Sequence, residues 1–397
     1  MQSNIHIQLL QDEVQDFIWN YSGDIGALVL SGSPFPDVPV QLLAEQIQSR
    51  RKAEGKLPGW YQTKKVYYPP KLNLEQTSSV LTAQYKASLV KGNTLADITG
   101  GFGVDSFYFS EVIPEVLHIE QNEPLSNIAQ HNFKVLSKNN ITTVVGNGLD
   151  VISKRKFDII YADPSRRHQT KGKVFYLTDC EPNIPKHISF LLDRCETLVI
   201  KTSPMLDLSI GLEELQFVSE IHIIAIDNEV KESIWILQKG ASGPVQVKTV
   251  NLTKRGVQSF SFLQDEHGNP NYSQPLAYLY EPNAAIRKSG AFNLISERYA
   301  LGKLHPNSHL YTGDAQQEFP GRVFKIDKVI PYTKKNFRKS FNLEKANVTV
   351  RNFPETVATI RKKWKIKDGG DVYLFFTTTL EEQRLVLVCS KVETNGV

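Results

Sequence analysis

Asp97 ends a short apolar run, and Gly100, Gly101 and Gly103 follow it closely in the stretch LADITGGFGVDSFYFS, residues 95–110. Clustered glycines remove side chains where a ligand must lie against backbone, and the N–H groups opening the next helix are left facing it. Two kinds of nucleotide ligand suit such a turn. A dinucleotide site asks for G-x-G-x-x-G, which Gly101 and Gly103 begin, but Ser106 stands where the third glycine belongs. The alternative, acid-x-x-x-Gly-x-Gly, is met by Asp97, Gly101 and Gly103, followed by Glu120 at the end of the next strand. A carboxylate there accepts both hydroxyls of a ribose, which either ligand requires. The turn alone leaves both open.

These residues need elements to hold them, and hydrophobic spacing supplies those elements. Residues 1–75 read as a helical region, with DEVQDFIWNY and VPVQLLAEQIQSRRKAEGKLP carrying apolar residues three and four apart. Over 76–245 helices and strands alternate: helix SSVLTAQYKASLV, strand TLADI, strand EVLHIE, helix PLSNIAQHNFKVL, strand TTVVGN, strand FDIIYADP, helix NIPKHISFLLDRC and strand TLVIKTSP. That alternation predicts a parallel, doubly wound α/β sheet of Rossmann-like type, and the closely spaced EIHIIAI and SIWILQ predict an antiparallel edge pair. Beyond about 245 the strands AYLYE, RVFKIDKVI, ANVTVRNF, DVYLFFTT and RLVLVCSKV surround two helices, EPNAAIRKSG and PETVATIRKKWKI. This is an α+β pattern, divided into 246–345 and 346–397.

The fourth strand of the alternating region, FDIIYADPSRR, delivers Asp163 and Pro164 to the carboxyl end of the sheet, where ligands of such sheets bind. With GGFGVD, ADPSRR, KVFYLTDCEPNI, IKTSPMLD, NEVKE and RNFPETVATIRKKWKIKDGGDVYLFFTT, the chain resembles the bacterial class I S-adenosylmethionine-dependent methyltransferases with a THUMP-like C-terminal domain, regarded as candidate RNA methyltransferases. The resemblance runs from about Leu57 to Val392. It implies a class I methyltransferase sheet, a ferredoxin-like and THUMP-like C-terminal region, S-adenosylmethionine as cofactor and an RNA substrate (tRNA or rRNA). It further implies that Asp97, Thr99, Gly100, Gly101 and Gly103 line the methionine end of the cofactor and that Glu120 takes its ribose. Asn147 stands where related enzymes carry an Asp against the adenine amine.

The acceptor atom is read from the residues near the strand ends. Pyrimidine C5 methylation needs a thiolate, yet Ser165 and Ser203 occupy the relevant places and Cys180 lies elsewhere, in TDCEP. Methylation of a base nitrogen needs acceptors that aim the lone pair, which Asp163 and the Pro164 carbonyl supply. Arg166 and Arg167 then stand where an aromatic usually stacks on a flipped base, and Arg can stack or grip phosphate. Lys86, Asp163, Lys201 and Glu232 also match, by position, the Lys-Asp-Lys-Glu tetrad of ribose 2′-O-methyltransferases. A base nitrogen is the preferred acceptor. The rival readings are that ribose enzyme, an NAD-dependent oxidoreductase and a non-catalytic RNA-binding protein.

Charge supports a polyanionic partner. The 397 residues carry +4 overall, but Gly321 to Lys367 hold 14 Lys and Arg against 3 Asp and Glu, a local balance of +11. Each such cation near a phosphate releases counterions on binding, and Arg361, Lys362 and Lys363 are the candidates singled out on the basic helix. Three cysteines without CxxC or His clusters predict neither disulfides nor a metal site. No apolar run approaches membrane-spanning length, and the N-terminus lacks a targeting pattern, so a cytoplasmic protein with no membrane partner is expected.

Overall fold

The apolar runs between residues 94 and 202 form five strands: β1 (Thr94–Asp97), β2 (Glu115–Glu120), β3 (Ile141–Val145), β4 (Phe157–Ala162) and β5 (Cys195–Thr202). They lie in the order 3-2-1-4-5 with every neighbouring pair parallel. Leu95, Ala96, Ile160, Leu198 and Ile200 are fully buried. A parallel sheet covered on both faces requires such continuous apolar runs. Because the chain leaves β1 toward β2 and later returns on the other side as β4, the order reverses between β1 and β4, and a crevice opens at their carboxyl ends.

The computed structural model describes residues 5–166, 175–333 and 343–392. The chain divides into two units, Met1–Ser219 with Ile234–Gly243, and Glu220–Ser233 with Pro244–Val397. No helix among the described residues is long and apolar enough to cross a membrane.

In the first unit the helices α1 (Asp12–Asn20), α2 (Ile25–Ser31) and α3 (Val40–Lys56) precede α4 (Val80–Ser88), which leads into β1. Two side-chain amides tie this region down. Gln46 on α3 brackets the backbone of Tyr68 at 2.8 and 2.9 Å, and Asn132 brackets Tyr67 at 2.8 and 2.9 Å. Asn132 lies on α6 (Glu123–Val135), which follows β2, while α5 (Val104–Phe109) follows the glycine turn. Asn122 caps α6 by accepting the Leu125 N–H at 3.0 Å, and Ile128, Ala129 and Phe133 form its buried stripe. Helix α7 (Ile184–Leu192) follows β4.

The strands β6 (Val218–Ile226) and β7 (Glu229–Gln238) are joined by Asp227 and Asn228, both at positive φ (46° and 69°), as a tight hairpin requires. This pair is not an edge. In the second unit β8 (Gln246–Thr253) and β9 (Gly256–Leu263) continue the order as 9-8-6-7, so β6 lies between β8 and β7 and the edge falls to β9. Polar residues alternating with apolar ones, as in QVKTVNLT and GVQSFSFL, are what a hairpin near a sheet edge carries.

The rest of this unit is built on a seven-stranded sheet. Its strands are β10 (Tyr278–Pro282), β11 (Gly302–Lys303), β12 (Tyr311–Gly313), β13 (Gly321–Pro331), β14 (Asn347–Arg351), β15 (Val372–Thr378) and β16 (Arg384–Lys391), in the order 11-12-10-13-16-15-14. Helices α8 (Ala284–Ser289), α9 (Phe292–Arg298) and α10 (Val357–Trp364) accompany it. Phe324, Phe375 and Leu387 centre one apolar cluster, and Leu374, Phe376 and Val386 a second.

Candidate functional site

A cleft of about 350 Å³ opens at the carboxyl ends of β1, β2 and β4, within the size range of small-molecule sites. Asp97, Thr99, Gly100, Gly101, Gly103, Glu120 and Asn147 all border it, as do Asp163 and Ser165 from the fourth strand. Asn73, Gln76, Thr77 and Ser78, from the segment ahead of α4, complete a wall that sequence reasoning missed.

The three glycines serve different ends. Gly101 has φ +56° and a Cβ there would meet nothing nearer than the Thr99 carbonyl at 3.8 Å, so this position faces open space. A Cβ on Gly100 would stand 2.3 Å from Nε2 of His118, and one on Gly103 (φ +89°) 2.5 Å from Cζ of Phe133. Those two are glycine because the turn packs onto side chains beneath it. Gly148, which the sequence reading passed over, is equally constrained, with a Cβ 2.3 Å from the Ile98 carbonyl oxygen. His118 is wholly buried, and burial pushes its pKa down to about 4, so it lies under the turn as a neutral ring.

Asp97 holds the turn in shape. It is 1% exposed, accepts the Thr99 N–H at 3.1 Å on one oxygen and receives the Ser106 hydroxyl at 2.7 Å on the other. The Ser106 position is thus a hydrogen-bonding one, which speaks against the dinucleotide pattern that wants glycine there. Burial raises the Asp97 carboxyl to about 7, against the lowering effect of these hydrogen bonds. Thr99 links the two central strands, its Oγ1 accepting the Asp163 N–H at 2.7 Å. Glu120 accepts the Gly101 N–H at 2.8 Å and the Asn122 N–H at 2.7 Å, one on each oxygen. Asn147 is a helix cap: its side-chain oxygen accepts the N–H groups of Leu149 at 3.0 Å and Asp150 at 3.4 Å.

Among the candidate catalytic residues, Asp163 and Lys201 are in contact, with Lys201 Nζ 2.5 Å from Asp163 Oδ2 at the ends of β4 and β5. Lys86 is bound elsewhere. Fully buried on α4, it donates to the Ser78 hydroxyl at 2.6 Å and pairs with Asp105 at 3.0 Å. The Tyr161 hydroxyl donates to the same Asp105 at 2.8 Å. Burial pulls the Asp105 carboxyl up, but Lys86, Lys201 and Tyr161 outweigh it and hold the group below its ordinary value. Glu232 is buried on β7, in the segment that belongs to the second unit, and Pro164 is buried.

Arg166 and Ser165 pair antiparallel with Cys180 and Glu181, and the Arg166 guanidinium lies 5.8 Å from the Phe175 ring centroid. Arg167 falls outside the described residues. Cys180 is buried and its thiol is raised to about 11, chiefly by burial and then by Asp179 and Glu214, which removes it as a thiolate nucleophile at neutral pH. On α10, Arg361 pairs with Asp368 and Lys363 with Glu355, and Lys362 is exposed with no ion pair among the described residues.

Two family models match the C-terminal part of the chain, with a boundary at 320/321. Residues 278–320 match a family model described as a ferredoxin-like domain, and 321–391 one described as THUMP domain-like. No curated protein matches the chain. Among solved structures, a candidate methyltransferase from Porphyromonas gingivalis W83 is 31% identical over 98% of this chain and 99% of that one, with a TM-score of 0.87. A candidate RNA methyltransferase from Pyrococcus horikoshii aligns at 16% identity over 46% of this chain and 96% of that one, with a TM-score of 0.34. The tRNA (uracil-54, C5)-methyltransferase of Pyrococcus abyssi, in complex with S-adenosyl-L-homocysteine, aligns at 20% identity over 41% of this chain and 39% of that one, with a TM-score of 0.32. Through its near full-length match to the Porphyromonas protein, the chain belongs to the bacterial class I methyltransferase family in which ferredoxin-like and THUMP-like domains follow the α/β unit.

Proposed function

We propose that this methyltransferase uses S-adenosylmethionine to methylate a base nitrogen of RNA. The cleft supports the cofactor. Gly101 presents backbone to open space where any side chain would intrude, and each Glu120 oxygen holds one loop N–H while keeping a second lone pair for a ribose hydroxyl. Thr99 and Gly101 would lie along the methionine end, with Asp97 shaping the turn behind them. Asn147 spends its side-chain oxygen on capping, so an adenine amine would need a backbone acceptor instead. When bound, the sulfonium supplies an electrophilic methyl group.

The protein's part is to orient the acceptor. Asp163 accepts an N–H of the base amine, aims the nitrogen lone pair into the cleft and takes the proton the nitrogen gives up. Lys201 fixes the Asp163 carboxylate by their ion pair, and the Pro164 carbonyl serves as second acceptor. Alignment of this kind supplies several kcal/mol of barrier lowering without a strong base. The burial of Lys86 favours a base over a ribose acceptor, because an ammonium held by Ser78 and Asp105 with no exposed surface does not reach a sugar hydroxyl.

RNA as substrate rests on the THUMP-like match and on the +11 balance of Gly321 to Lys367. We place Arg166, Arg167 and the α10 cations Arg361, Lys362 and Lys363 along its path, with Lys362 the most available of the last three. Mass spectrometry of digested RNA from a strain lacking the protein tests the proposal. One base-methylated nucleoside should disappear and return on complementation, and an unchanged nucleoside profile would refute RNA as the substrate.

A further inference from the structure

Three guanidinium groups of the second unit gather around one buried carboxylate, and a buried lysine lies near their edge. Glu281, at the end of β10, is 2% exposed. One of its oxygens accepts Arg322 Nε at 2.8 Å together with Arg322 Nη2, and the other accepts Arg351 Nη2 at 2.7 Å. Arg287 on α8 stands beside them, depressed first by burial and then by the positive charge of Arg351. Among the described residues its Nε is buried without a partner, as is Nε of Arg351. Lys303, 3% exposed, donates to the Asn293 side chain at 3.1 Å and has no carboxylate partner among the described residues.

His309 completes the group. It stacks on Phe292 with centroids 3.4 Å apart, its Nδ1 is buried with no partner among the described residues, and burial followed by Lys303, Arg351 and Arg287 pushes its pKa down to about 4. With His309 neutral, these four cations and one carboxylate leave three positive charges uncompensated among the described residues. Like charges gathered on one side of the sheet repel in a medium of reduced dielectric, and an anion seated among them relieves that repulsion. The guanidinium fork is matched to the oxygens of a phosphoryl group.

We propose that Arg287, Arg322 and Arg351, backed by the buried charge of Lys303, form a binding site for a backbone phosphate of the RNA substrate. The site shares no residue with the methyl-transfer cleft or with α10. It draws on both C-terminal domains, since Arg287 and Lys303 fall in the ferredoxin-like match and Arg322 and Arg351 in the THUMP-like one. The side chains of Arg322 and Arg351 are 37% and 28% exposed, so the cluster opens to the surface, as an anchor for a chain requires. The inference rests on the reading of RNA as substrate, but binding tests it and turnover does not.

The experiment is a fluorescence anisotropy titration of the full chain with a fluorescein-labelled single-stranded oligoribonucleotide over a series of salt concentrations, without cofactor. Arg287→Gln, which breaks no ion pair among the described residues, should weaken binding several-fold and reduce the salt slope by about 1. Lys303→Met, which removes a buried ammonium at similar volume, provides a second variant and should act in the same direction. Inorganic phosphate, added at constant ionic strength, should compete with the oligoribonucleotide on the wild type and much less on either variant. Variants with wild-type melting temperatures and an unchanged salt slope would overturn the proposal, and competition by phosphate with that slope unchanged would reduce the cluster to a site for free anions. A lowered slope in a protein that transfers no methyl group to RNA would keep this anchor and remove the proposed reaction.

Discussion

Lys86 Nζ lies 3.0 Å from Asp105 Oδ1, and the lysine has no exposed surface. A buried ion pair whose lysine also donates to Ser78 and whose aspartate also accepts the Ser78 and Tyr161 hydroxyls is held by mutual dependence, because removing one charge strands the other in low dielectric. The pair joins α4 to α5, the helix that follows the glycine turn.

Lys86→Ala should therefore act on stability, costing about 3–5 kcal/mol of unfolding free energy. Urea denaturation followed by circular dichroism reads it. A variant with wild-type stability and abolished turnover would instead assign Lys86 to the reaction and revive the ribose reading.

Asp97 predicts a pH dependence with a definite sign. Its folded-state pKa, about 7, lies above the ordinary 3.8, so the protonated form is the one the fold prefers. That contribution is fully present below pH 3.8 and is lost as pH rises through about 7. Asp97→Asn, neutral throughout, should remove this segment of the profile, flattening the change in stability by about 2–4 kcal/mol. Melting temperatures of both proteins across that interval check it. Parallel profiles would show that Asp97 is ionised in the fold throughout.

Glu120→Ala and Gly101→Val should each lower S-adenosylmethionine affinity by tenfold or more, equivalent to at least about 1.4 kcal/mol. The first removes the ribose acceptor, and the second places a branched side chain at φ +56° in the open cleft. Isothermal titration calorimetry reads both. Unchanged affinity in the pair would move the cofactor away from this turn.

Asp163→Ala should abolish methyl transfer while leaving cofactor affinity within a factor of a few, since Asp163 is assigned to the acceptor. Lys201→Met should reduce kcat by about 10–100-fold through loss of the ion pair that fixes Asp163. Steady-state kinetics with RNA substrate distinguish these from a binding defect, which would appear in KM alone.

The first unit was largely legible in the sequence because a parallel sheet writes itself as apolar runs separated by helices. Asp97, Gly101, Glu120 and Asp163 stand at the ends of those runs, and the structure brings all four to one cleft. Relations between distant faces were not legible. Nothing in AQYKAS says that Lys86 meets Asp105, since both positions suit an exposed helix residue, and nothing in EVLHIE says that His118 is the reason Gly100 has no side chain. The hairpin of β8 and β9 was missed because its half-polar alternation is weaker than the runs around it. The cluster on Glu281 was hidden because its members lie on five separate elements and in the loop before β12.

The most direct test of the central claim is transfer itself. The full chain is incubated with methyl-labelled S-adenosylmethionine and unmodified RNA, and the product is digested to nucleosides and cleaved at the glycosidic bond. The label should leave with the base, on a nitrogen, and should be absent with Asp163→Ala. Label retained on the sugar would contradict the acceptor assignment, and no label in RNA would contradict the function.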